Sequence, residues 1–248
     1  DGVGNDADGL SDYPVDPGCF DPGDVSEREA SLACDNGVDD DGDGSADYPS
    51  DPGCSSATDA SEKDSSLICD DGVDNDGNGY ADDWRGWDFV GNDNNPSDDN
   101  GHGTHVAGTI GAAGNDATGV TGVAWDVRLM PLKFLSASGS GTTANAAKAV
   151  LYAAGNGARI TNNSWNGHAF SQALLDAIRQ ADAAGSLFVA AAGNDGVSTD
   201  AYAAYPSSYE APNVVSVAAT DASDLRASFS NYGPTRVDLG APGVNVYS

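Results

Sequence analysis

Positive charge is scarce in this 248-residue chain, where Lys and Arg number 10 against 39 Asp and Glu, a net charge of −29. So acidic a surface repels polyanions, which excludes nucleic acid as a default partner. Long apolar runs are also lacking. No stretch reaches 18 consecutive apolar residues, so no segment is expected to span a membrane. The opening Asp1-Gly2-Val3-Gly4 has neither the basic nor the apolar region of a secretion signal, and any export signal is expected to be removed or to lie outside the chain. Cysteine is missing from everything after residue 69.

What is there is unevenly distributed. Residues 1–83 hold 25 acidic and 2 basic residues, whereas residues 84–248 hold 14 and 8. The length allows one α/β domain or a domain with an appendage, and the change of composition puts the boundary near residue 83. All four cysteines (Cys19, Cys34, Cys54 and Cys69) fall in the acidic part, which has too few apolar side chains for a core. Disulfide-stapled extracellular loops are expected of such a segment.

The acidic part repeats with a period of 35 residues, Val3 through Cys19 matching Val38 through Cys54. A fixed period of this kind marks an array of small units. Within it the pattern D-x-[DN]-x-[DN]-G-x-x-D occurs as Asp39, Asp41, Asp43, Gly44, Asp47 and again as Asp74, Asp76, Asn78, Gly79, Asp82. Alternate oxygen-bearing side chains on a tight turn can converge on one cation, and the Gly permits the turn. Ca²⁺ takes six to eight oxygens at about 2.3–2.6 Å, so both loops are candidate Ca²⁺ sites. A first copy, with Asp6, Asp8 and Asp12, is weaker because Gly4 replaces its leading acid. No Glu closes the loops at the twelfth position, which argues against an EF-hand. Cysteine pairing stays open: Cys34 with Cys54 within a repeat, or Cys19–Cys34 with Cys54–Cys69, which uses all four. The repeat would place a further Cys just before Asp1, so the N-terminus is expected to be cut. The loops resemble thrombospondin type 3 calcium-binding repeats.

From Trp84 onward two periods alternate. Candidate strands are 128–134, 158–163, 186–192, 213–218 and 236–239; candidate helices are 103–113, 142–154 and 170–184. In the last helix Leu174, Leu175, Ile178 and Ala181 recur at helical spacing. Strands alternating with helices predict βαβ units, a mostly parallel sheet with helices on both faces. Ligands bind such sheets at the carboxyl ends of the strands.

Four segments carry chemistry. Asn100-Gly101-His102-Gly103-Thr104-His105-Val106-Ala107-Gly108-Thr109 opens a candidate helix. Ala190-Ala191-Ala192-Gly193-Asn194-Asp195-Gly196 follows a candidate strand. Asn163-Ser164-Trp165-Asn166-Gly167 follows another, and Gly139-Ser140-Gly141 stands apart from both. Together they resemble the subtilisin-like serine protease family over about the last two-thirds of the chain. The resemblance implies a partial subtilisin-like α/β fold preceded by the repeats. It makes His102 the general base, His105 a packed helix residue, Asn194 the oxyanion donor and Gly193 a substrate-binding residue beside it. It also makes Ser164, Trp165 and Asn166 one wall of the substrate cleft, and Gly139, Ser140 and Gly141 the facing edge for a polypeptide substrate. Asn166 stands where the family often has Gly. The segments Tyr205-Pro206-Ser207, Ala227–Gly233 and Ala241–Val244 add scaffold, and the loop Gly114–Val120 resembles a family calcium loop with Asn115 or Asp116 as ligand.

Two parts of the resemblance are missing. The family's nucleophile stands in a Gly-Thr-Ser-Met-Ala helix start beyond the Ala-Pro-Gly-Val segment, and no serine of this sequence has that context. The Asp that orients the histidine is weakly matched by Asp70, in Leu67-Ile68-Cys69-Asp70-Asp71-Gly72, residues the repeat already explains. The expectation is a fragment of a secreted, monomeric, calcium-stabilised endopeptidase that is inactive as these residues stand. The alternative is a non-catalytic extracellular calcium-binding scaffold with a degenerate protease fold.

Overall fold

The computed structural model describes residues 32–40, 46, 50, 54, 61, 73–81, 83–115, 117 and 119–248. The chain divides into two compact units, residues 1–87 with 93–95, and residues 88–92 with 96–248.

In the first unit the described structure is local. One 3-10 turn covers Ala33–Asp35, and a disulfide joins Cys34 to Cys54. Of the pairings the sequence leaves open, this is the one within a repeat. Cys19 and Cys69 lie outside the described residues. Tyr80 meets Trp87 edge-on with ring centroids 4.9 Å apart.

The second unit is built on a four-stranded parallel sheet. Its strands are β3 (Ile160–Asn163), β4 (Leu187–Ala191), β5 (Val214–Thr220) and β6 (Leu239–Pro242), adjacent in that order. The register pairs Asn163 with Ala190, Ala191 with Val217, and Thr220 with Pro242. Pro242 is tolerated because it ends an edge strand, where no ladder bond is asked of its missing N–H. A smaller sheet pairs β1 (Trp87–Asp88) with β2 (Leu132–Lys133).

Among the described residues three α-helices accompany the sheets: α1 (His102–Gly111), α2 (Thr143–Gly155) and α3 (Gln172–Ala183). Thr142 caps α2 by accepting from Asn145 N–H, and Ser171 caps α3 by accepting from Leu174 N–H, each satisfying an orphan donor of the first turn. α3 stops at Gly185, whose φ of 80° suits glycine, while Ser186 N–H reaches back to Ala181 O at 2.9 Å. Leu174, Leu175, Ala177, Ile178 and Ala181 make the buried stripe of α3 that the sequence period predicts. It packs with Ala146, Ala147 and Val150 of α2 onto Phe188 and Ala190 of β4, two positions apart and so on one face of the sheet. Burying side chains such as Phe188, Leu174 and Ile178 is worth about 1.5–3 kcal/mol each.

Two expected strands form differently. Of 128–134 only Leu132–Lys133 is a strand, and Leu129 and Met130 are exposed. A strand exists only where a neighbour completes its ladder, and here Lys133 O accepts from Phe89 N–H at 2.7 Å. The last strand begins at Leu239 rather than Arg236, because Asp238 first closes on Ser216: its carboxylate accepts Ser216 N–H at 2.7 Å and its own N–H donates to Ser216 O.

Candidate active site

His102 is the first residue of α1, directly after Gly101 at φ 91°. Gly101 has no side chain to cap the helix, and Asp98 does so from outside. Its carboxylate accepts N–H bonds from Asn100 and Gly101 at 2.9 Å each, and from Thr104 at 2.7 Å. It also accepts the Thr104 hydroxyl at 2.7 Å. These donors, the Thr104 amide foremost, hold the carboxyl far below the usual carboxylate range. The loop is tied at two further points. Asn100 Nδ2 donates to Ala137 O at 2.8 Å, and Lys133 Nζ bridges Asp99 at 2.8 Å and buried Asp88 at 3.1 Å. The hydrogen bond to Asp99, with help from Asp88, raises the Lys133 ammonium above its ordinary value.

His102 is exposed, and among the described residues its ring has no hydrogen-bond or ion-pair partner. Asp70, the weak candidate for an orienting carboxylate, lies outside the described residues. His105, expected to be packed, is exposed, because no residue of α1 is buried. Asp98 was not singled out from the sequence, although an Asp just ahead of a helix start is a readable signal.

Asn194 follows the carboxyl end of β4. Gly193, at φ 109°, makes the turn, and a Cβ there would collide with Asn231 Nδ2 and stand 3.0 Å from Asn166 Nδ2. Gly193 is therefore required twice, by its backbone angle and by the close approach. Asn194 is exposed, with no hydrogen-bond partner for its side chain among the described residues. Asn231, taken above only as scaffold, is fully buried and bonded along this loop.

The residues expected to line the substrate cleft occupy two separate segments. Gly139, Ser140 and Gly141 form a tight exposed turn, with Gly139 N–H donating to Ser136 O and Ser136 N–H to Ser140 O. Leu135 and Gly141 form an antiparallel bridge, and a Cβ at Gly141 would strike the Phe134 carbonyl. This turn lies beside the histidine loop through Asn100. In the other segment Ser164 accepts from Asn162 Nδ2 at 2.9 Å, and Trp165 packs edge-on against Phe134 with centroids 5.1 Å apart. Trp165 is thus turned toward the core, and Asn166 is the exposed member beside Gly193.

The acidic loops present a different picture. Asp39 is described, but Asp41, Asp43, Asp47, Asp82 and Asp116 lie outside the described residues. In the other loop both Asp74 oxygens accept its own amides, from Gly77, Asn78 and Gly79 at 2.7–3.0 Å. The Gly79 bond foremost keeps the Asp74 carboxyl below its usual range. Asn78 turns its NH₂ toward Asp76 and Asp83. Among the described residues no three acidic, His or Cys side chains converge on one point. Asn115 sits at φ 64° in its loop.

Comparison with known proteins gives a consistent answer. Residues 33–248 match the Subtilase family (peptidase S8). The chain is 47% identical over 164 residues to the thermophilic serine proteinase of Bacillus sp. (strain AK1), a match covering 66% of this chain and 39% of that protein. It is 43% identical over 163 residues to thermitase of Thermoactinomyces vulgaris, covering 66% and 56%. The chain thus spans about two-fifths to three-fifths of the length of these curated relatives. A solved cold-adapted subtilisin-like serine proteinase superposes with a TM-score of 0.57 at 42% identity, covering 65% of this chain and 55% of that one.

Proposed function

The chain belongs to the subtilase family, and from that premise we propose that it supplies part of the active site of a serine-type endopeptidase acting on polypeptides. The observation that carries the reading is the position of Asn194, an exposed amide just beyond the carboxyl end of a central parallel strand. In this reading a serine hydroxyl attacks the peptide carbonyl carbon and His102 takes its proton. The C–N bond breaks, His102 returns the proton to the leaving amine, and water then releases the acyl group. Asn194 donates to the oxygen that becomes negative. An extended peptide pairs by backbone with the Gly139–Gly141 edge and faces Ser164–Asn166.

No serine of the 248 residues stands in a Gly-Thr-Ser-Met-Ala context, so these residues by themselves are inferred to be inert. The acidic composition and the Cys34–Cys54 disulfide support secretion, and no helix among the described residues is long and apolar enough to cross a membrane. Ca²⁺ binding by Asp39, Asp41, Asp43 and Asp47, and by Asp74, Asp76, Asn78 and Asp82, is supported by their spacing in the sequence. A cation there would gather carboxylates that otherwise repel.

The test is turnover of a denatured protein by the complete product of the gene encoding these residues, compared with the 248-residue chain. Turnover by the former alone, abolished by His102→Ala, is expected. A complete product without peptidase activity leaves the calcium-binding scaffold as the better account.

A further inference from the structure

Asn231 has no accessible surface, yet it is polar and belongs to no helix or strand. All its side-chain bonds go to one short segment. Nδ2 donates to Ala192 O at 3.0 Å and reaches Asp195 Oδ2 at 3.4 Å. Oδ1 accepts Asp195 N–H at 2.9 Å and Val197 N–H at 3.2 Å. Its backbone N–H donates to Gly193 O at 2.9 Å, and Tyr232 N–H donates to Val197 O at 3.1 Å. The amide thus grips the loop on both sides of Asn194, while Asn194 itself is left exposed.

We propose that Asn231 is the positioning residue that holds Asn194 in place at the end of β4. This rests on the reading of Asn194 as the oxyanion donor. The chemistry of the site restricts the choice of side chain. A carboxylate could accept the two N–H groups but could not donate to Ala192 O while ionised, and it would set a second negative charge beside Asp195. An apolar side chain of equal size would leave two donors and one acceptor unpaired in a buried place, the costly outcome for polar groups. Gly193 fits the same design, because any larger residue there would push the Asn231 amide away. Asn231 does not touch the reacting atoms; it acts through the loop.

Hydrogen exchange on the 248-residue chain tests the grip. Asn231→Leu is expected to speed exchange at the Asp195 and Val197 amides on the order of tenfold to a hundredfold. The ladder amides of β4 and β5 should keep their rates. If Asn231→Leu does not fold, Asn231→Ser, which adds neither bulk nor charge, is read the same way. Unchanged exchange at Asp195 and Val197, or an equal rise throughout the sheet, overturns the proposal. In the complete gene product, Asn231→Leu should lower kcat with little change in KM and cost nothing further once Asn194→Ala is present. Losses that multiply would show that Asn231 does not act through Asn194, and overturn the positioning role. If Asn194→Ala leaves kcat unchanged, the oxyanion reading fails instead, and the grip on the loop is judged by exchange alone.

Discussion

At the scale of single residues, Asp98 secures the start of α1 and Asn194 stands exposed just beyond β4. Asn194 was legible because its segment is a local pattern, Ala-Ala-Gly-Asn after an apolar run. Asp98 does its work through four bonds to Asn100, Gly101 and Thr104, a capping role that sequence signals hint at but do not single out among Asp93, Asp98 and Asp99. Asn231 is marked in the sequence only as part of the scaffold segment Ala227–Gly233, since a polar residue outside helix and strand is ordinary until its burial is known. Because Asp98 has a carboxyl pKa depressed by folding, its stabilisation is present above the unfolded value of about 3.9 and is lost as pH falls through the lower folded value. Asp98→Ala should therefore cost about 1 kcal/mol at neutral pH, the usual worth of a lost cap. It should also flatten the acid limb of the stability curve, as measured by urea unfolding from pH 7 down to pH 2.5.

At the scale of elements, the candidate helices 103–113, 142–154 and 170–184 match α1, α2 and α3 among the described residues, α3 most cleanly because its buried stripe is purely apolar. Strand ends were less legible. Residues 128–131 have the composition of a strand but gain no ladder, while Asp238 spends its first bonds on Ser216 before β6 begins. Pairing partners are a property of the fold, and a strand's own residues do not reveal them. Lys133 shows the same limit: nothing in Leu132-Lys133-Phe134 says that this ammonium pairs with Asp88 and also joins β2 to the histidine loop through Asp99. Lys133→Met should leave the buried Asp88 carboxylate without its cation and destabilise the fold by about 2 kcal/mol, allowing for partial exposure. Exchange at the Gly101 and Thr104 amides should rise with it. A variant as stable as the parent would show that the bridge carries no weight.

At the scale of the whole molecule, the two materials joined in this chain obey different physics. Residues 88–92 with 96–248 are organised by an apolar core between helices and a parallel sheet. The acidic repeats have few apolar groups to bury, and in the described loop Asp74 caps its own amides. The family match nevertheless begins at residue 33, upstream of the compositional change near residue 83. If the repeats bind Ca²⁺, millimolar Ca²⁺ should raise the unfolding temperature in proportion to the logarithm of its concentration, and chelation should reverse the gain. An unfolding temperature indifferent to Ca²⁺ would assign the carboxylates a solvating role.

In the proposed function His102 and Asn194 serve a serine nucleophile in a peptidase. Removing one oxyanion donor lowers kcat about 100- to 1,000-fold, a figure measured on a subtilisin and not obtained from this chain. The most direct measurement is covalent labelling by a fluorophosphonate, which reports an activated serine without requiring the right peptide. The complete gene product should be labelled, His102→Ala should abolish labelling, and Asn194→Ala should slow it, while the 248 residues alone stay unlabelled. A complete product that resists the probe, or one labelled equally well without His102, would contradict the account.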